Sequence, residues 1–375
     1  MKIAYVTLHW PRTRTSGVGR KIAGQIQTWH NLGHTVQLFM HTHAVADPSV
    51  LLPAETFFYQ TPKGLIGKII TEFSRIQAIR QLIHEVKRFQ PELIYFRWGM
   101  YVYPMHKLNR TAPLIIEINT NDIFEHQLLG LVLNIYNRLT RGITLQAADG
   151  YVSITHELTN SPQFNRYHKP IQVISNGIDI STFQTQLAPD NPIPHLLFIG
   201  SPGMPWHGIE KLVELATDFP DLEIEIVGSS SIPGITQYPN NFHLHGFLEG
   251  ENYLAMLRHC DVAIGTCSLY KKGMQEAAPL KIRDCAAAGL PLILPYTDTD
   301  FNDLEHETIL KLPNNEGNIK THGQTIHDFT YTMRGKRIPR DLIIHRIDFH
   351  QKEIERLKFF TSILQRDKEK NHKPQ

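Results

Sequence analysis

Two carboxylates and a lysine stand around one proline: Glu276, Pro279, Lys281 and Asp284 share a single short stretch. Pro279 suits the first position of a helix, where its missing N–H costs nothing. The alanine-rich run to Ala288 propagates that helix, and Gly289 ends it. The backbone N–H groups of Leu280, Lys281 and Ile282 then lack intrahelical acceptors and point at whatever precedes the helix. With a lysine in the first turn, an anion such as a diphosphate is the natural guest. Glu276 lies just ahead of the helix and Asp284 more than a turn inside it, so an acid flanks the anion seat on either side. Carboxylates in those places would accept hydrogen bonds from sugar and ribose hydroxyls.

The elements needed to position such a seat are legible on both sides of it. Leu292 to Leu294 is an apolar run closed by Pro295, short enough for a central parallel strand. Upstream, strands are expected at His195 to Ile199, Leu222 to Val227 (ending in Gly228), Phe242 to His245 and Val262 to Gly265. Helices at Ile209 to Phe219 and Glu251 to Arg258 alternate with them. Repeated β/α units of this kind make a doubly wound parallel sheet. The loop after the first of these strands, Gly200 to Gly208, carries Ser201, Trp206 and His207.

The first half of the chain has the same pattern. Ile3 to Leu8 is a strand, with Pro11 soon after it. Gly17-Val18-Gly19 opens a helix that runs to about Leu32 and stops at Gly33, and Thr35 to Met40 is the next strand. This is not the dinucleotide fingerprint, because the loop is too long and no acid ends the second strand. Strands Leu93 to Phe96 and Leu114 to Glu117 carry Arg97 and Asn119 to Asp122 at their C-terminal ends, where the crevice of an open α/β sheet lies. Further elements are a helix at Leu128 to Leu145 and strands at Gly150 to Ile154 and Ile171 to Ile174. Residues 62 to 90 read as a helix of mixed basic and apolar character. Such a helix covers a sheet or rests on an anionic membrane. Leu342 to Leu364 reads as one long charged helix.

Length and composition set the outer bounds. A chain of 375 residues exceeds one ordinary core, so two domains are expected. Lys plus Arg number 38 against 36 for Asp plus Glu, a net charge of +2 that gives no reason to expect a nucleic-acid partner. Cys260, Cys267 and Cys285 form no CxxC pair and fall in apolar segments, as buried reduced thiols do. The first residues form a strand and not a signal peptide, and no apolar run approaches the roughly 18 residues of a membrane span. A cytoplasmic protein is expected. His41-x-His43 and His243-x-His245 have no third ligand nearby in sequence, which favours ordinary histidines over a zinc site. Neither a Gly-x-Ser-x-Gly elbow nor a P-loop occurs.

Glu276-x7-Asp284, followed by the small-residue helix, Gly289 and the apolar strand, resembles the Glu-x7-Glu donor-site signature of the family 4 glycosyltransferases of the GT-B fold. Here the second acid is shorter by one methylene. The Gly17-Val18-Gly19 loop, with Leu32-Gly33-His34-Thr35-Val36 after its helix, is similar to the opening of that family. Asn176-Gly177-Ile178-Asp179, with Phe183 beyond it, looks like its inter-domain hinge. The resemblance extends over about residues 1 to 300. It implies two Rossmann-like domains facing across a cleft: an acceptor-side domain over 1–184, a linker at 185–194 about which the domains close, and a nucleotide-sugar domain over 195–340. Residues 341–375 would form a C-terminal helix crossing back to the first domain.

By the same resemblance the protein would be a retaining hexosyltransferase of polysaccharide biosynthesis, passing a sugar from a nucleotide-sugar to a hydroxyl of a glycan or lipid-linked acceptor. The nucleotide-sugar would be a co-substrate, and no other cofactor or metal is implied. The catalytic residues would be Glu276, Lys281 and His207. The donor would be held by Gly17, Val18, Gly19, Ser201, Trp206, Gly228, Gly246, Phe247, Ala278, Pro279, Leu280 and Asp284, and the acceptor by Arg97, Asn119 and Asp122. Asp298-x-Asp300 is similar to the metal-binding Asp-x-Asp of a different glycosyltransferase fold, but it follows a late strand of the second domain. Family members often place Arg or Lys where Ser201 and His207 stand here. That departure keeps open a catalytically silent partner subunit, and the shared sheets keep open a sugar-nucleotide epimerase. A peripheral contact with an anionic membrane also stays open.

Overall fold

A computed structural model describes residues 1–9, 13–128, 130–183, 187–201 and 203–371. Pro11, Leu129, Gln184, residues 185–186 of the expected linker and Pro202 lie outside the described residues. The chain divides into two compact units, Met1–Ile174 with Phe349–Gln375, and Ser175–Asp348. The division falls at Ile174, ahead of the polar, proline-bearing 185–194 stretch.

The first unit is built on seven parallel strands: β1 (Lys2–His9), β2 (Thr35–His43), β3 (Glu55–Tyr59), β4 (Leu93–Arg97), β5 (Leu114–Ile118), β6 (Gly150–Ser153) and β7 (Ile171–Val173). They lie in the order β3-β2-β1-β4-β5-β6-β7. The central strands β1, β4 and β5 are buried along nearly their whole length and mostly apolar, because helices cover both faces of a parallel sheet. Those helices are α1 (Gly17–Asn31), α2 (Gly64–Phe89), α3 (Asp122–Leu128), α4 (Leu131–Ala147), α5 (His156–Asn160) and α6 (Pro162–Asn165). Ser16 caps α1 by accepting from the Gly19 N–H. A Cβ at Gly19 would lie 1.8 Å from the Thr13 carbonyl oxygen, so the turn into α1 admits only glycine there.

The second unit repeats the plan with β8 (His195–Ile199), β9 (Glu223–Val227), β10 (Phe242–Leu244), β11 (Val262–Ile264), β12 (Glu276–Ala277), β13 (Leu292–Leu294), β14 (Thr297–Asp298) and β15 (Ile309–Lys311). Six form a parallel sheet in the order β10-β9-β8-β11-β13-β15, and β12 pairs with β14 apart from it. Its helices are α7 (Ile209–Asp218), α8 (Gly250–His259), α9 (Leu280–Ala287), α10 (Asn318–Thr321), α11 (Gly323–Met333) and α12 (Arg340–Ile347). Cys260, Cys267 and Cys285 are buried, free thiols.

The single helix expected over 342–364 is two. It breaks at Asp348, which is extended and bridges Ile178, while the Ile178 N–H donates to the Ile347 carbonyl. Helix α13 (Phe349–Asn371) then joins the first unit. There Phe360 packs edge-on against Trp29 at a centroid distance of 5.5 Å. The Trp29 indole N–H donates to Glu353 Oε2 at 2.8 Å, and Arg356 donates to both Glu353 and the Tyr95 hydroxyl. No helix among the described residues is long and apolar enough to cross a membrane.

Candidate active site

Helix α9 begins one residue later than the sequence suggests. Pro279 is its N-cap, with φ −69° and ψ 131°, and makes no side-chain cap to the first-turn amides. The helix ends at an Ala288 C-cap and turns out through Gly289 at φ +90°. Its placement is fixed from inside. The Arg283 guanidinium is wholly buried and grips Asp298 through two nitrogens, at 2.8 and 2.9 Å, and Asp300 at 2.6 Å. Ser175 Oγ also donates to Asp300. The Asp298-x-Asp300 pair is thus the counter-ion of an arginine. Because β14 contains Asp298 and pairs with β12, the same clamp fixes Glu276 (opposite Thr297) with respect to α9. Asn176 adds a strut, its amide donating to the Ala278 carbonyl at 2.6 Å.

Around the amino end of α9 the unit collects the loops at the C-terminal ends of its strands. Lys281 Nζ lies 3.3 Å from Ser201 Oγ. The Ser201 N–H donates to His207 Nδ1 at 3.3 Å, which leaves Nε2–H as the donor of the neutral ring. Burial, and then the charge of Lys281, lowers the His207 pKa to about 3, so the imidazole is neutral at physiological pH. Burial, opposed by Asp284, brings Lys281 down to about 8, and it stays mostly protonated at pH 7. Lys272, not foreseen from the sequence, stacks over the Trp206 ring at 4.7 Å and adds a second positive charge that also disfavours a charged His207. Gly228 N–H donates to the Gly246 carbonyl, and a Cβ at Gly228 (φ +97°) would meet the Gly200 carbonyl at 1.8 Å. Backbone therefore lines this end of β8 and β9 closely. Phe247 beyond it is largely exposed.

The two acids differ in what holds them. Glu276 is 7% exposed. Asp284 is 2% exposed and accepts from the Tyr253 hydroxyl of α8 at 2.7 Å. That partner is 31 residues away in sequence and left no local signal.

In the first unit Gly17 and Val18 form the start of α1. Arg97 donates to Glu117 and Asn119, each at 2.9 Å, and Lys21 donates to Glu117 at 2.7 Å. Burial alone would raise the Glu117 carboxyl, but Lys21, Arg97 and Arg356 outweigh it and hold it well below the usual range. Asp122 corrects the sequence reading. It is buried in a two-point pair with Arg141, at 2.7 and 2.8 Å, and accepts from Asn137. Three donors inside the protein occupy it, so it anchors α3 to α4 and is not available to an acceptor.

Residues 15–182 match the family model described as Glycosyltransferase Family 4. No curated protein matches the sequence. Among solved structures the chain is similar to a sucrose-phosphate synthase from Thermosynechococcus elongatus, with a TM-score of 0.69 at 14% identity over 96% of this chain and 98% of that one. It is also similar to an Anabaena protein in complex with UDP and glucose, with a TM-score of 0.61 at 14% identity over 96% and 99%. A third is an alpha-glucosyltransferase in complex with UDP and DNA, with a TM-score of 0.64 at 12% identity over 96% and 99%. At such identities these likenesses speak for the fold. Residues 15–182 are thus similar to Glycosyltransferase Family 4, and the chain has the two-unit GT-B fold of these structures.

Proposed function

We propose that the second unit binds a nucleotide-sugar and that the protein transfers the sugar to an acceptor hydroxyl with retention of anomeric configuration. One observation carries the reading: the uncapped amino end of α9, with Lys281, Ser201 and His207 gathered beside it and Glu276 fixed in register by the Arg283 clamp. The first-turn amides and Lys281 receive the diphosphate, and the His207 Nε2–H donates to a phosphate oxygen. Lys281 and Lys272 supply the positive charge that Ser201 and His207 do not. Glu276 binds hydroxyls of the donor sugar and stabilises the oxocarbenium-like centre as the bond from C1 to the phosphate oxygen breaks. The acceptor oxygen bonds to C1 on the same face, and its proton passes to the departing phosphate oxygen. Asp284 takes the ribose hydroxyls, with Tyr253 aligning it.

UDP-sugars are the first donors to try, because two of the similar structures hold UDP. Calorimetric titration with UDP-glucose and UDP-galactose, followed by an assay for release of UDP, tests the reading. Glu276→Gln should lower turnover by about 10²–10³-fold with little change in donor affinity. If donor binds and Glu276→Gln leaves turnover unchanged, this chemistry is wrong. If no UDP-, GDP- or ADP-sugar binds, the silent-subunit reading replaces it.

The acceptor on this reading is lipid-linked and met at an anionic membrane. Helix α2 exposes Leu65, Ile66, Ile69 and Phe73, and α4 exposes Leu131, Val132 and Leu139, with Leu65 at 79% and Leu139 at 76%. Exposed Lys63, Lys68 and Arg138 accompany them. Apolar side chains that reach the acyl boundary, beside cations for anionic headgroups, suit an interfacial helix. The near-balanced net charge of +2 speaks against a nucleic-acid acceptor. Vesicle flotation should capture the protein on phosphatidylglycerol-containing but not pure phosphatidylcholine vesicles, and Phe73→Ser with Leu139→Ser should release it. Equal capture by both vesicle types, or none, rejects the membrane reading.

A further inference from the structure

One face of the second unit's sheet is lined by imidazoles and carboxylates where apolar side chains are usual. Glu225, in the middle of β9, is a buried carboxylate whose ion-pair partners among the described residues are histidines. Its Oε1 lies 2.8 Å from His195 Nδ1, at the start of β8, and its Oε2 lies 2.5 Å from His245 Nε2, just beyond β10. His259, the last residue of α8, sets its ring 4.3 Å from that of His195. One ligand atom each from His195, Glu225 and His259 lies within 4.8 Å of the other two. The sequence offered His243-x-His245 without a third ligand; the fold supplies ligands from other elements.

We infer that His195, Glu225 and His259 bind a divalent transition metal, with zinc the best fit, and that His245 orients the carboxylate from behind. Two neutral imidazoles and one carboxylate are the donor set of a borderline-soft cation, and they leave a fourth tetrahedral position for water. Glu225 Oε1 faces the site, while the His245 bond to Oε2 fixes the plane of the carboxylate, as an outer-shell partner does. Calcium and magnesium would prefer more oxygen donors. The site stands apart from the donor seat. His195 opens β8, whereas the loop with Ser201 and His207 follows the other end of that strand, roughly 15 Å away at the usual rise per residue. The metal would pin the end of α8, the helix whose Tyr253 holds Asp284. The inference does not depend on the donor chemistry proposed above.

The test is a calorimetric titration of chelator-treated full-length protein with Zn2+. One tight equivalent is expected, together with a higher melting temperature in the presence of zinc, since a ligand that binds only the folded state stabilises it. His259→Ala removes an exposed side chain and should fold normally while weakening that equivalent by at least about 10-fold. His195→Gln should do the same, and Co2+ in place of Zn2+ should give the visible absorption of a tetrahedral site. His84→Ala, in the exposed part of α2, should change nothing. A protein without the tight equivalent, or one whose affinity is unchanged by His259→Ala, overturns the assignment. So does equal weakening by His84→Ala, which would mark scattered surface histidines as the binders.

Discussion

Lys281 is where charge and burial compete most directly. An isolated lysine titrates near 10.4, but here burial lowers the value to about 8, leaving the ammonium close to its titration range. A diphosphate prefers the charged form, so donor affinity should be level from pH 6 to 7.5 and weaken as pH rises through about 8. The sign follows from the lowered pKa: the charge that binds is present below it and lost above it. A nucleotide-sugar is the right probe, since its diphosphate has no group titrating in that range. Lys281→Gln should give weaker binding with no inflection near pH 8. His207, neutral down to about pH 3, should contribute no inflection near 6.5. Calorimetric Kd values across pH 6 to 9.5 for wild type, Lys281→Gln and His207→Asn check all three expectations, and an inflection near 6.5 lost in His207→Asn would refute the neutral tautomer.

At the scale of elements, α9 shows what a sequence can and cannot disclose. Its start, its alanine-rich body and its glycine exit are local signals within one or two turns, and they were legible to within a residue. The clamp that orients it was not. Arg283 pairs with Asp298 and Asp300 across a strand and two turns, and residue types alone offered Asp298-x-Asp300 as a metal pair. The same limit hid Tyr253 behind Asp284 and Arg141 behind Asp122, because those pairings are made by tertiary packing. It also hid the break at Asp348, where helical composition is overridden by a bridge to Ile178. The clamp makes a testable claim. Asp298→Asn leaves a wholly buried guanidinium short of charge and should cost about 3–5 kcal/mol. Glu276 should lose its register with it, so turnover should fall even at temperatures where the variant is folded by circular dichroism. Full turnover in a folded Asp298→Asn protein would show that the β12–β14 pairing does not position the acid.

At the scale of the whole chain, the first unit is closed by residues that come after the second. Phe360 and Ile363 of α13 lie in the same core as Tyr5, Trp29 and Tyr95, and Glu353 and Arg356 satisfy the buried Trp29 indole and Tyr95 hydroxyl. The first unit therefore cannot complete its core until α13 is in place. Phe360→Ala opens a cavity beside Trp29 and should cost about 3–5 kcal/mol. Because the unit cores are separate, that loss belongs to one of them, and scanning calorimetry should show one transition moving down while the other holds. Hydrogen exchange assigns the moving transition: amides of β1 and β4 should lose protection, and those of β8 and β9 should keep it. Equal loss of protection in all four strands would mean that the two units unfold as one, with α13 the bond between them.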